Sequence, residues 1–517
     1  MLRFEYTTSL RRLGGRVRTW WHNEQQPAPT PASPVVDWLA GPRPNLHQLY
    51  LQERSTLPPF VQAAPLALEY LDLLGPLDWD HFPEPPPADT WHRPPQPRAH
   101  FVAAYLIKLA EGKKAMPALH KLLVKEPALV WLLGFPLKPA ATPWGFDAKA
   151  SLPCHRHFSR VLRTLPNTAG RFLLKSTVQL LQAALPPDLE FGDEISLDTK
   201  HILAWVVENN PKVALADRFC KDRPPKGDKE CKLGCKQKHN KTPSPVAPDT
   251  AAAPPPATTD APPPTPAQEG QPASQTEVGE YYWGYASGVV TTKVPGYGEF
   301  VLAEMTQTFD KSDISYFFPL LAQTEANLGR KPRFGALDKA YDAFYVHEYF
   351  HTAGGFAAVP WADRADHRKT FSPAGLPHCA AGLPMPLKGT FQDKAGLVPH
   401  PCGRYGCPLL FPEKTGEVCP VAHKNWAKAG CITTLPLSIG NRLRHELDRT
   451  SPAYHHLYKQ RSASERINSL ALELGIERPK LRNHRSIANQ NTLLYVLLNL
   501  RAWQRLRTQR TSQAPPS

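Results

Sequence analysis

The stretch Tyr458-Lys459-Gln460-Arg461-Ser462-Ala463-Ser464-Glu465-Arg466 sets three chemically different groups about one helical turn apart. With 3.6 residues per turn, Tyr458, Arg461 and Glu465 share one helix face, while Ile467, Leu470, Ala471 and Leu474 form an apolar stripe on the other. A carboxylate therefore stands beside a guanidinium and a phenol, on a helix anchored by its far side. That combination suits a place where a metal ion, a phosphate and a DNA backbone meet.

Working outward, the same chemistry requires further carboxylates. Cutting a phosphodiester needs an activated nucleophile and a stabilised leaving oxygen, and two divalent ions about 4 Å apart supply both when acidic side chains hold them. Glu194-Ile195-Ser196-Leu197-Asp198 reads as a strand ending on an aspartate, and Phe334-Gly335-Ala336-Leu337-Asp338 reads as another. An aspartate after a strand is ordinarily a turn or cap, and a glutamate on a helix is ordinarily solvated. The argument for Asp198, Asp338 and Glu465 rests on their order and local settings together. Asp193 and Asp342 are the runners-up in their neighbourhoods.

The spacing Y-x-x-R-x-x-x-E at Tyr458, Arg461 and Glu465, with D-x-x-Y-D at Asp338, Tyr341 and Asp342, resembles the signature of DDE transposases of bacterial insertion sequences, in the insertion-sequence-four-like superfamily. The resemblance covers roughly residues 100–505, most strongly around Asp198, Asp338 and Tyr458–Glu465. It implies an α/β fold: a ribonuclease-H-like mixed-sheet catalytic core, a helical N-terminal domain and a Cys/His-containing insertion. It implies that Asp198, Asp338 and Glu465 are catalytic and bind Mg²⁺ or Mn²⁺, and that Tyr458 and Arg461 contact DNA. The implied activity is binding of terminal inverted repeats, strand cleavage and strand transfer, by a homodimer on double-stranded DNA. The pattern departs from the family where a Lys usually follows the Glu by seven residues; Leu472 stands there, with Lys480 and Arg482 nearby. That departure keeps open the rival of an inactive DNA-binding relic.

Composition agrees with a polyanionic partner. The chain has 517 residues, a net charge of +15 and 58 prolines. No apolar run approaches the roughly 18–20 residues needed to span a bilayer. The basic N-terminus reads as an arm and not a secretion signal, so a cytoplasmic, nucleoid-associated protein is expected. The proline clusters and changes of periodicity divide the chain into an arm (1–98), a helical DNA-binding domain (99–189), core segments (190–240 and 279–360), a disordered Pro/Ala-rich excursion (241–278), an insertion (361–445) and C-terminal core helices (446–510).

Two further features compete for attention. His347-Glu348-Tyr349-Phe350-His351 spells the H-E-x-x-H of zinc proteases, but no third ligand stands at a familiar spacing, Asp366 and His367 being the candidates; a zinc metalloprotease is the rival enzyme. The nine cysteines are odd in number and unevenly spread, which argues against a disulfide framework. Cys220, Cys231, Cys235 and His239 form one group. Cys402, Cys407, Cys419, His423 and Cys431, with His378, Cys379 and His400, form another inside a Pro/Gly-rich segment that lacks periodic apolar residues. A structural Zn²⁺ and free buried thiols are the alternatives for them.

Overall fold

The computed structural model describes residues 43–86, 96–210, 224–236, 280–362 and 368–513. Most of the N-terminal arm, the 241–278 excursion, Cys220, His239, Asp366 and His367 lie outside the described residues.

A six-stranded mixed sheet organises the chain, built from β1 (Glu194–Leu203), β2 (Lys232–Lys236), β3 (Glu280–Val294), β4 (Gly298–Thr308), β5 (Phe334–Ala336) and β6 (Phe356–Ala358). The long β3 pairs antiparallel with β1 along one edge and with β4 and β2, end to end, along the other. On the far side of β1, β5 and then β6 join in parallel. From Tyr282 to Thr292, β3 is buried on both faces, and its aromatic and β-branched run is the composition that a doubly covered strand requires. Gly296 and Gly298, at φ 81° and 119°, make the left-handed turn that returns β3 as β4.

The N-terminal helices are α1 (Leu46–Leu51), α2 (Pro59–Gln62), α3 (Pro65–Leu74), α4 (Arg98–Ala110), α5 (Met116–Lys125), α6 (Pro127–Leu132), α7 (Ala148–Ser151), α8 (His155–Thr164) and α9 (Asn167–Ala184). Proline occupies the first turn of α2, α3, α5 and α6, where its missing N–H costs nothing. Later come α10 (Phe317–Leu328), α11 (Phe344–Thr352), α12 (Ile439–Glu446), α13 (Pro452–Tyr458), α14 (Ser462–Glu473) and α15 (His484–Gln513).

Both sheet faces are covered. Ile195, Leu197, Val290, Leu302 and Leu337 pack with Phe317 and Leu320 of α10, Val346 and Phe350 of α11, and Trp503 of α15. On the opposite face Tyr285, Val289 and Val301 meet Ile467 and Ala471 of α14 and Leu494 of α15. That second core runs without a break into Leu71, Phe101, Leu129 and Phe158 of the N-terminal helices. The described part of the expected arm and the expected helical domain thus join one core with the sheet, where composition suggested separate units. Buried polar contacts reinforce the join: Lys108 Nζ donates to Gln490 Oε1 at 3.1 Å, and Asn167 Nδ2 to Asn489 Oδ1 at 3.1 Å. No helix among the described residues is long and apolar enough to cross a membrane. The insertion forms a separate antiparallel sheet, β7 (Leu387–Asp393), β8 (His400–Gly406) and β9 (Ile432–Pro436).

Candidate active site

β1 does not stop at Asp198. It continues to Leu203, because β3 hydrogen-bonds its whole length, from Ile195 opposite Thr292 to Leu203 opposite Gly284. The polar Thr199-Lys200-His201 run beyond the expected strand end is carried by that one-sided pairing. On the other side β5 pairs only with Glu194–Ser196, opposite Phe334–Ala336. β1 therefore runs past its parallel neighbour with one edge open, and Asp198 stands on that open stretch.

The register then decides the geometry. Glu194 faces Phe334, Ile195 faces Gly335 and Ser196 faces Ala336. Continued by two residues, the same offset sets Asp198 beside Asp338. Because alternate residues of a strand point to opposite faces, each aspartate is preceded by a leucine on the other side. Leu197 and Leu337 are 1% and 0% exposed in the α10–α11 core, whereas the two aspartates face α13 and α14. Gly335 allows the close layer beneath: a Cβ there would lie 2.3 Å from the Phe350 ring.

Each carboxylate is held by its surroundings. Asp198 accepts from the Thr199 amide at 2.9 Å and from Asn468 Nδ2 of α14 at 3.0 Å. Asp338 accepts from the Ala340 amide at 2.8 Å, capping a 3₁₀ turn over Lys339–Tyr341. Burial, with the neighbouring Asp338 charge added, pushes Asp198 up to about 6, against the opposing pull of the Thr199 amide, Arg461 and Asn468. Asp338 is also raised, first by burial and then by Asp313, with Arg461 opposing. Two carboxylates that share a half-buried pocket repel each other, and Arg461 is the cation whose field reaches both.

Three further residues complete the pocket; Tyr341 was seen only as part of the D-x-x-Y-D motif, and Asp313 and Asn468 were missed. Asp313, just after β4, accepts from Thr199 Oγ1 at 2.8 Å. Tyr341 is buried beside Asp313, Asp338 and Asp198, and its hydroxyl has no partner among the described residues. Asn468 spends its amide nitrogen on Asp198 and leaves Oδ1 buried and unpaired. Asn468 had a signal, being a polar residue inside the Ile467–Ala471 apolar stripe. Asp313 had none.

The Tyr458–Arg466 stretch is jointed where one helix was expected. Tyr458 ends α13, Arg461 closes a 3₁₀ turn, and Glu465 sits in the first turn of α14. Ala463, Ile467, Asn468 and Ala471 form the buried face, while Leu470 is 37% exposed. Arg461 hydrogen-bonds Glu465, and its guanidinium carbon lies 6.0 Å from the Tyr458 ring, which stacks on Tyr454. Glu465, half-exposed, is bonded to the same Arg461 whose charge acts on both aspartates. Of the positions near Leu472, Arg482 stacks over Trp205 at 5.0 Å, and Lys480 is exposed.

The runner-up acids are engaged elsewhere. Asp193 is bound by Arg330 and Arg333, which outweigh burial and hold it below the usual carboxylate range. The side chain of Asp342 is fully buried and takes a two-point hydrogen bond from Arg444, 2.8 Å to Oδ1 and 2.7 Å to Oδ2. The H-E-x-x-H helix is tied to that ion pair: His347 is buried with Nε2 3.5 Å from Asp342 Oδ1, and His351 is exposed. Among the described residues, one trio of His, Cys, Asp or Glu brings its ligand atoms within 4.8 Å: Asp393, His400 and Cys402. It includes neither protease histidine, nor Glu465 with the two aspartates.

No protein-family model matches the chain, and no curated protein matches it.

Proposed function

We propose that this chain is a DDE transposase, cleaving DNA at the ends of its element and transferring the freed strands with divalent-ion help. One observation carries the reading: Asp198 and Asp338 lie side by side beyond the paired part of two adjacent parallel strands, under a helix that brings Arg461 and Asn468 to them. The strand arrangement supports it too. Three antiparallel strands (β4, β3, β1) followed by parallel β5 and β6 give the order expected of a ribonuclease-H-like core.

The donor set fits Mg²⁺ or Mn²⁺. Both carboxylates are disfavoured as bare anions, and the unpaired Tyr341 hydroxyl and Asn468 carbonyl oxygen offer hydrogen bonds that an ion's water shell would take up. Asp198 and Asp338 would hold the ion, with Glu465 joining once Arg461 turns to a DNA phosphate. Bound there, the ion would lower the pKa of the attacking water or hydroxyl and neutralise the leaving oxygen. Arg461 offers a planar fork for a phosphate, and Tyr458 a ring and hydroxyl beside it.

The test is incubation of the full chain with a duplex carrying the sequences that flank its gene, in Mg²⁺ or Mn²⁺. Cleavage at the element boundary, lost in Asp198→Asn, is the expected result. Sequence-specific binding without cleavage would mean an inactive relic. Proteolysis of casein that Glu348→Gln abolishes, with no DNA cleavage, would overturn the reading in favour of the protease.

A further inference from the structure

The insertion from Thr370 to Leu437 has little apolar material to hold it. β7 is exposed almost throughout, and the buried Met385, Tyr405 and Leu409 belong to none of the hydrophobic clusters. A segment of this size without a core of its own needs another staple. Four cysteines distant in sequence, Cys379, Cys407, Cys419 and Cys431, line one cavity of about 10 Å³. That is room for a single atom-sized occupant. Cys431 lies close enough to Cys407 and Cys379 for both thiols to act on it electrostatically.

The backbone is shaped around these thiols. Gly430, at φ 68°, lies against Cys407, and a Cβ there would come within 2.5 Å of the Cys407 Cβ and 3.0 Å of its Sγ. Any side chain at that position would have to displace Cys407. Three of the four cysteines also open tight turns closed on their own carbonyls: Gly382 N to Cys379 O at 3.0 Å, Leu410 N to Cys407 O at 3.1 Å, and Ala422 N to Cys419 O at 3.1 Å. Ala422 is held at φ 45°, a left-handed conformation unusual for a residue with a Cβ. Such strain persists where surrounding structure enforces it.

We propose that Cys379, Cys407, Cys419 and Cys431 bind one structural Zn²⁺ as four thiolates, fastening the loops of the insertion to its sheet. Four sulfur donors suit closed tetrahedral zinc, with Zn–S bonds of about 2.3 Å. Each thiol gives its proton to solvent as it ligates. No three of these sulfurs lie within 4.8 Å of one another, so binding draws Cys379 and Cys419 inward onto the Cys407–Cys431 pair. The Asp393, His400 and Cys402 trio is the competing site.

The test measures zinc per chain in protein purified without chelator, together with Co²⁺ titration of the intact chain. Cys419→Ser and Cys431→Ser should each lose one equivalent of zinc relative to wild type, while Cys402→Ala keeps it. Co²⁺ should give the intense ligand-field and sulfur charge-transfer bands of a tetrahedral tetrathiolate site, a readout that needs no variant to fold. Absence of both zinc and those bands overturns the proposal. Loss of zinc in Cys402→Ala but not in Cys419→Ser overturns it too, as does a Cys407–Cys431 disulfide in the freshly isolated protein.

Discussion

At the scale of single residues, the pocket is set up at a cost to the metal-free fold. Asp198, pushed up to about 6 by burial and by Asp338, would titrate near 3.8 in the open chain. Its folded pKa lies above its unfolded value, so the folded chain holds the extra proton between those limits. Stability from this group therefore falls as pH rises through that window, and the full penalty stands at neutral pH. A shift of this size corresponds to roughly 3 kcal/mol. Asp198→Asn should accordingly resist denaturant better than wild type at pH 7 without added Mg²⁺, with the difference shrinking towards pH 4. Chemical unfolding at the two pH values checks this; a destabilised Asp198→Asn at pH 7 would mean the carboxylate is not strained. The aspartates were legible in the sequence because each follows a short apolar run and precedes polar residues. Asp313 was not, since it reaches the site through Thr199, more than a hundred residues away, and nothing local marks that contact.

At the scale of elements, the joint between α13 and α14 shows what periodicity leaves out. Positions 458, 461 and 465 were read as one face, and they do cluster, but across a 3₁₀ turn where Arg461 bonds Glu465 while its charge is felt at both aspartates. Helical spacing gives proximity on an ideal helix; the packing of Tyr454 and Leu457 on Ala336 and Ala358 places the joint over the sheet. The H-E-x-x-H helix illustrates the opposite error, since motif spacing says nothing about burial. Its His347 belongs to the Asp342–Arg444 ion pair that binds α11 to α12. Arg444→Met, which leaves the buried Asp342 carboxylate only Arg449 and His347 at 3.5 Å and the Ala362 amide, should cost about 3 kcal/mol in equilibrium unfolding. A change under about 1 kcal/mol would remove the ion pair from the account.

His445, on the same α12, accepts from the Lys369 amide at 3.1 Å and packs against Trp361 and Phe371. Burial, helped by Arg444, lowers it to about 4. Its folded pKa lies below its unfolded one, so the unfolded chain takes up the proton first. Stability is full above about pH 6.5 and declines as pH falls towards 4. His445→Gln should flatten that decline; an unchanged slope of unfolding free energy between pH 6.5 and 4.5 would contradict it.

At the scale of the whole molecule, the described N-terminal helices, the sheet and α15 share one core. The sequence suggested an arm, a helical domain and a catalytic core because proline clusters look like boundaries. The cluster at 83–97 separates helices that nonetheless share a core, and the complementarity of α4, α8 and α9 to the Leu493–Leu498 stretch of α15 is a tertiary property that composition does not carry. A fragment beginning at residue 190 should therefore fail to fold cooperatively, as circular dichroism during thermal melting would show. A cooperative melt from that fragment would restore the separate-domain reading.

The central claim is that Asp198 and Asp338 together hold the ion that cuts DNA, and one comparison tests it most directly. Wild type and Asp338→Asn are given the same end-bearing duplex in Mn²⁺, with binding followed by gel shift and cleavage by strand analysis. The account predicts equal binding, cleavage leaving a 3′-hydroxyl at the element boundary for wild type, and none for the variant. Cleavage by Asp338→Asn at the wild-type rate would contradict it.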